Sequence, residues 1–310
     1  MAGKKIFLSV VIPVFNEEQV IREFIVRLKK TVQQIDCDYE LLFVNDGSRD
    51  GTLSILRDEK KSDKKIRVIN FSRNFGHQMA ITAGMDQAQG DAVIVIDADL
   101  QDPPELIVDM VQKWQEGYDT VYARRTSRVG ETLFKRWTAA LFYRLIKKIS
   151  NVDIPVDVGD FRLLSKRALV SLNQCRETHR YVRGLVAWLG YPQAFVDYAR
   201  DKRFAGETKY PLSRMLRFSM DGISSFSILP LRLASWLGMF CAFFSFIYIL
   251  YALYIKFVVQ TAAPGWTAIV ISVFLVGGVQ LMCIGIMGEY IGVLHNEIKK
   301  RPLYVISEID

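Results

Sequence analysis

The chain has 310 residues, of which 50% are hydrophobic, 12% aromatic and 24% charged, and it carries a formal net charge of +7. These values exclude a disordered chain, and four Cys in this length exclude a disulfide-stapled miniprotein. The charged fraction leaves too little apolar sequence for a transporter of many spans, and the length suits one large or two ordinary domains.

Ile6–Val14 is an apolar strand pattern. Lys4-Lys5 precedes it with no small-residue cleavage site, so no signal peptide is expected. Glu17–Ile35 repeats apolar residues at helical spacing, from Ile21 through Phe24, Ile25, Leu28 and Val32. Tyr39–Val44 is a short strand that ends in the turn Asn45-Asp46-Gly47-Ser48. Leu53–Lys61 predicts a helix, Ile66–Phe71 a strand, Gly76–Gln89 a helix and Ala92–Ile96 a strand. Asp102-Pro103-Pro104-Glu105 opens the next helix, with Asp102 as its N-cap. Tyr118–Ala123 is a further strand. Alternation of this kind predicts a mostly parallel sheet covered on both faces.

The apolar residues are concentrated toward the C-terminus. Tyr210–Leu229 mixes apolar residues with Arg214, Arg217 and Asp221, as an amphipathic interfacial segment would. No charge occurs from Leu233 to Ile255, or from Phe257 to Gly288. A hydrocarbon core takes about 20 apolar helical residues. Two transmembrane helices are therefore expected at about 233–257 and 267–287, joined by a turn at Gln260–Trp266. Lys and Arg flank the pair, at Arg214, Arg217 and Arg232 and at Lys299, Lys300 and Arg301, which predicts cytoplasmic termini. Cys37, Cys175, Cys241 and Cys283 form no CxxC pair and read as reduced thiols.

In parallel sheets ligands sit beyond the carboxyl ends of the strands. No GxGxxG follows the first strand and no GxxxxGK[ST] occurs, so dinucleotide and P-loop readings lose their support. Three polar clusters stand at strand ends: Pro13-Val-Phe15-Asn-Glu17, Asn45-Asp46-Gly-Ser48 and Asp97-Ala98-Asp99-Leu-Gln101-Asp102. Two carboxylates at i and i+2 repel unless a cation lies between them, and Mg2+ or Mn2+ with oxygen ligands is the natural partner. On spacing alone, a solvated turn stays equally open. His77, His179 and His295 are far apart and do not suggest zinc; His77 reads as structural or peripheral.

In this order and spacing, IPVFNEE, VNDGS and DADLQDPPE resemble the family 2 glycosyltransferases, which have a GT-A fold. Ser72–Gly76, Gly159–Leu163, Arg203–Lys209 and the double apolar run extend the resemblance over essentially the whole chain. It is nearest to the membrane-anchored branch that loads a sugar onto a polyprenyl phosphate, the bacterial undecaprenyl-phosphate glucosyltransferases, relatives of dolichyl-phosphate mannose synthases. The resemblance implies a GT-A domain at 1–209, a juxtamembrane segment at 210–230, the two helices within 231–290 and a cytoplasmic tail at 291–310.

It also implies roles. Pro13, Phe15, Glu17, Asp46, Asp97 and Ala98 would form the nucleotide-sugar site. Asp97, Asp99 and Gln101 would hold Mg2+ or Mn2+ on the diphosphate, with Asp99 counted as catalytic. Asp160 would be the acceptor-side carboxylate, with Asp157 as rival. Arg125, Arg203 and Lys209 would meet phosphates, whereas Arg124 and Arg128 read as a basic surface facing anionic lipid. A phosphate acceptor has its second pKa near 6, so Asp160 is expected to orient or stabilise more than to abstract a proton. Expected partners are a nucleotide-sugar donor, a polyprenyl-phosphate acceptor and the membrane, with no nucleic acid; homo-oligomerisation stays open. UDP-glucose is the favoured donor, with UDP-GlcNAc, UDP-galactose, a modified pentose nucleotide or GDP-mannose as alternatives. A processive polysaccharide synthase is disfavoured by the lack of a QxxRW motif.

Overall fold

The computed structural model describes residues 5–127, 155, 158–178, 180–199, 229–259 and 265–310. Asp157, Arg128, Arg203, Lys209, His179 and the proposed interfacial segment up to residue 228 lie outside the described residues. The chain divides into two units, Met1–Leu212 with Pro302–Asp310, and Ser213–Arg301.

The first unit alternates strands and helices. β1 (Ile6–Val14) is followed by α1 (Ile21–Val32), β2 (Cys37–Asn45), α2 (Thr52–Ser62), β3 (Ile66–Phe71), α3 (His77–Gln87), β4 (Ala92–Val95) and α4 (Leu106–Gln115). Then come β5 (Thr120–Ser127), β6 (Val158–Ser165), α5 (Lys166–Gln174), α6 (Val182–Trp188), β7 (Gln193–Ala199) and, at the chain's end, β8 (Ile306–Ile309). The sheet order is β7-β5-β6-β4-β1-β2-β3-β8. β4, β1, β2 and β3 are mutually parallel, and β5 pairs parallel with β7. β6 runs antiparallel between β4 and β5, and β8 runs antiparallel along β3. The expectation of a mostly parallel sheet therefore holds with two insertions.

β1 is buried from Leu8 to Val14 because helices cover both of its faces. On one side Phe24, Ile25 and Leu28 of α1 and Ile107 and Met110 of α4 pack against Val10, Ile12 and Phe43. On the other, Ala80 and Ala83 of α3 meet Val44 and Ile69. The approach of α3 is close enough that a Cβ on Gly84 would stand 2.2 Å from Val11 Cγ1.

Two sequence assignments change, and one unassigned segment becomes a strand. The helix after DADLQD starts at Leu106, and Asp102 does not cap it. Its carboxylate is drawn instead to Tyr198 and Arg125. The segment around Asp160, to which the sequence reading assigned no element, is a strand, β6. The stretch assigned to a tail is in part sheet, because β8 closes the open edge of β3, a stabilising use of otherwise unpaired backbone groups.

In the second unit, α7 (Leu229–Tyr254) runs into a π-helical turn at Ile255–Val259, and α8 covers Trp266–Ile298. Large apolar side chains such as Trp236, Phe240, Leu281 and Ile284 are exposed along both. Among the described residues, one segment, Leu275–Ile298, is long and apolar enough to cross a membrane; Leu233–Tyr248 is a shorter apolar helix.

Gly84→Ala separates two effects. Helix propensity alone would stabilise by about 1 kcal/mol. Overpacking against the stiff, buried Val11 should instead destabilise by about 1–3 kcal/mol, lowering the urea midpoint of the detergent-solubilised full chain. An unchanged or raised midpoint would contradict the close packing.

Candidate active site

The carboxyl ends of β1, β2, β4 and β5 and the start of β6 share one edge of the sheet. After β1, Asn16 adopts φ 56, a left-handed conformation that a short polar side chain tolerates through local bonding. Its Oδ1 accepts the Arg49 N–H at 2.9 Å, and its own N–H donates to Ser48 Oγ at 3.0 Å. The Glu17 N–H donates to Thr52 Oγ1 at 2.9 Å. The turns after β1 and β2 are thereby tied together. Pro13 is buried within β1, whereas Phe15 is 43% exposed.

Asp46 is buried, and its carboxylate gathers the turn before α3. Oδ1 accepts the Phe75 N–H at 2.6 Å, and Oδ2 accepts the Gly76 N–H at 3.0 Å and Asn74 Nδ2 at 2.9 Å. Burial raises its pKa, and these donors oppose the rise. Its side chain therefore shapes the neighbouring loop, and that loop carries His77 into the site.

After β4, Asp97 points inward. It is 29% exposed, but its Oδ1 is buried with no hydrogen-bond partner. His77 Nε2 stands 3.5 Å from that oxygen, an ion-pair distance. Burial pushes the Asp97 carboxyl up to about 6, against the pull of His77 and with the help of Asp160 and Asp99. Ala98 is buried. Asp99 Oδ1 accepts the Gln101 N–H at 3.1 Å across Leu100, which holds φ 57. A leucine in that region costs roughly 1–3 kcal/mol, and such strain concentrates at functional turns. An unpartnered buried carboxylate oxygen beside a second carboxylate fits a hard divalent cation. Among the described residues no three His, Cys, Asp or Glu side chains form a complete cage. Such a set suits an ion that keeps substrate oxygens in its shell rather than one held by protein alone.

Asp160, at the start of β6, is 6% exposed and surrounded by donors. Oδ1 accepts Arg162 Nη2 at 2.9 Å and Arg183 Nε at 3.1 Å. Oδ2 accepts Arg183 Nη2 at 2.9 Å and lies 3.3 Å from His77 Nε2. Burial alone would raise its pKa, but Arg183, His77 and Arg162 hold it well below the usual carboxylate range. Arg162 is fully buried and also donates to the Gly159 carbonyl at 3.0 Å. His77 sits between Asp97 and Asp160. Burial lowers its pKa, yet the two carboxylates raise it to about 9, so it is a cation at neutral pH. Of the two sequence readings of His77, structural or peripheral, the position between two carboxylates disagrees with the second.

Arg125 reaches the same edge from β5. Its Nε donates to Tyr198 Oη at 3.1 Å and its Nη2 lies 3.5 Å from Asp102 Oδ2, with Tyr198 Oη bonded in turn to Asp102. It crosses Gly159 so closely that a Cβ there would meet Nη2 at 2.7 Å. Arg124, read from sequence as a lipid-facing cation, forms a two-bond pair with Asp197 on β7, at 2.6 and 2.8 Å. Arg183 carries no motif, and Asp160 becomes its neighbour only when α6 packs beside β6; Arg162 stands two residues from Asp160 on the same strand, and its role shows only in its burial and its bond to that carboxylate.

An open α/β sheet that gathers an aspartate pair, a clamped third aspartate and several cations at its carboxyl edge defines an enzyme site for anionic ligands. Residues 9–172 match Glycosyl transferase family 2. The uncharacterized glycosyltransferase YkcC of Bacillus subtilis is 51% identical over 99% of this chain and 95% of its own. The prophage bactoprenol glucosyl transferase homolog of Escherichia coli is 39% identical over 97% and 99%, and the bactoprenol glucosyl transferase of Shigella phage SfII is 40% identical over 97% of each. The chain belongs to glycosyl transferase family 2. It is a glycosyltransferase with an α/β fold of the GT-A kind.

Arg183→Lys keeps a positive charge but loses the fork that engages both Asp160 oxygens. Turnover in a sugar-transfer assay should fall about 10- to 100-fold, the worth of one or two charge-assisted hydrogen bonds, while the melting temperature changes little. Unchanged turnover would assign the clamp to structure alone.

Proposed function

We propose that the enzyme transfers glucose from UDP-glucose to a polyprenyl phosphate, of the undecaprenyl class, at the cytoplasmic face of a membrane and with inversion at the sugar carbon. The observation that carries this reading is near-full-length identity of 39–40% to bactoprenol glucosyl transferases. The geometry supports the chemistry. Donor and acceptor are both anionic, and the site supplies Arg125, Arg183 and a protonated His77 to bring them together.

Phe15, the buried Pro13 and Ala98, Glu17 and Asp46 are assigned to the nucleoside side. Asp97, Asp99 and Gln101 would hold Mg2+ or Mn2+ on the diphosphate. When bound, that ion neutralises charge that grows on the departing nucleoside diphosphate. An oxygen of the acceptor phosphate attacks the anomeric carbon from the face opposite the diphosphate. The carbon–oxygen bond to UDP breaks, and its electron pair leaves on UDP. The acceptor phosphate is already ionised above about pH 6, so no proton need be removed from it. Asp160, held ionised by two guanidinium groups, orients Arg183 and His77 instead of acting as a base. Arg125 and, outside the described residues, Arg203 and Lys209 are assigned to phosphate contacts.

α7 and α8 are assigned as a two-helix membrane anchor with cytoplasmic termini. The exposed apolar side chains along both helices and the flanking Lys and Arg residues support this assignment.

The test uses membranes containing the full chain, labelled UDP-sugars, undecaprenyl phosphate and Mg2+. Label should enter the organic phase with UDP-glucose, and Asp99→Ala or chelation by EDTA should reduce it at least about 100-fold. No organic-phase label with any donor would overturn the reaction. Label surviving both Asp99→Ala and chelation would overturn the metal's role.

A further inference from the structure

The last nine residues return to the catalytic unit only three residues after α8 ends at Ile298 and Lys299–Arg301 pass. Pro302 begins a strap that continues into β8. The Asp310 N–H donates to the Val68 carbonyl at 2.8 Å, and the Ser72 N–H donates to the Val305 carbonyl at 3.0 Å. Arg57 on α2 adds pairs to Glu308 at 2.6 Å and Asp310 at 3.4 Å. Those pairs are exposed and worth little. The residue with larger leverage is Tyr304.

The Tyr304 ring stacks on Phe71 at 5.2 Å with planes 13° apart, and Phe71 meets Phe75 edge-on at 5.6 Å. Phe75 is the residue whose N–H binds Asp46, two positions before His77. At its other end, Tyr304 Oη donates to Asp86 Oδ2 at 2.6 Å, and Arg176 Nη1 reaches the same oxygen at 2.8 Å. Asp86 Oδ1 is buried without a hydrogen-bond partner. One oxygen therefore carries both of these donors, and loss of either leaves the charge poorly compensated. Arg176 lies in the segment between α5 and α6, which delivers Arg183 to Asp160.

We infer that Tyr304 is a positioning residue for sugar transfer. Its ring sets the loop that presents His77, and its hydroxyl fixes, through Asp86 and Arg176, the segment that presents Arg183. Both groups converge on Asp160 from two helices, α3 and α6, whose first turns also meet where the Val182 N–H donates to Gln78 Oε1 at 3.3 Å. The strap thus makes the clamp geometry depend on the chain segment that directly follows the anchor helix. This inference rests on the reading of Asp160 as the acceptor-side carboxylate.

The experiment compares Tyr304→Phe, Tyr304→Ala, Asp86→Asn, Arg57→Ala and Asp160→Asn in the full chain, in membranes, by kcat, donor KM and melting temperature. Tyr304→Phe keeps the stack and loses the hydroxyl arm, so kcat should fall a fewfold. Tyr304→Ala loses both arms, and kcat should fall about tenfold or more, since small displacements of catalytic groups are expensive. Donor KM should stay within about twofold. Tyr304→Phe and Asp86→Asn should be non-additive when combined, because they share the Tyr304–Asp86 contact, although Asp86→Asn also weakens the pair with Arg176. Arg57→Ala loosens only the exposed pairs and should leave kcat unchanged. If Tyr304→Ala does not fold, Tyr304→Phe and its double mutant with Asp86→Asn decide the matter. An inactive Asp160→Asn beside Tyr304 variants of wild-type kcat would overturn the positioning role alone. A fully active Asp160→Asn would overturn the site reading and this inference with it.

Discussion

The carboxylate of Asp160 is nearly fully buried and is tolerable there only because Arg162, Arg183 and His77 surround it. Removing one partner from a buried pair of this kind typically costs about 3–5 kcal/mol, because an uncompensated charge remains. The whole edge of the sheet is arranged around that requirement. β6 inserts antiparallel so that its first residues, not its last, stand beside the end of β4. α6 supplies Arg183, and the turn organised by Asp46 supplies His77. Immediately around Asp160 three cationic side chains face one carboxylate, which fits the proposed meeting of two anionic substrates.

The same arrangement divides labour among four aspartates. Asp46 is spent on backbone N–H groups and shapes a loop. Asp102 is spent on Tyr198 and Arg125. Asp160 is spent on guanidinium groups. Asp97 alone of these keeps a buried oxygen without a hydrogen-bond partner, and burial, aided by the nearby carboxylates, pushes its pKa up to about 6. Environment, rather than residue type, separates a structural carboxylate from one that can receive a cation.

Local patterns in the sequence were read well where the chain's own neighbours decide the outcome. The limits of β1 and β3 match the apolar runs, and the DADLQD cluster could be placed at a strand end from the strand preceding it. Readings failed where a distant partner decides. Asp102 has every local mark of an N-cap, but Tyr198, 96 residues away, captures its carboxylate. His77 reads as structural or peripheral until β6 brings Asp160, 83 residues later, against it. Arg183 lies on a seven-residue helix with no motif, and β8 is a four-residue strand whose partner lies more than 230 residues earlier. Arg124 reads as part of a basic surface and is exposed, but the sequence gives no sign of its partner Asp197 on the neighbouring strand β7. Long-range pairings of this kind leave no periodic trace in a single sequence.

The central claim is that Asp160 stays ionised and organises cations, with no proton transferred to it as the new bond forms. The direct measurement is the single-turnover rate of glucosyl transfer to undecaprenyl phosphate in H2O and in D2O at about pH 8, well above the second ionisation of a phosphate. Equal rates in the two solvents are predicted. A clear slowing in D2O that disappears in Asp160→Asn would place a proton in flight at that carboxylate and contradict the account.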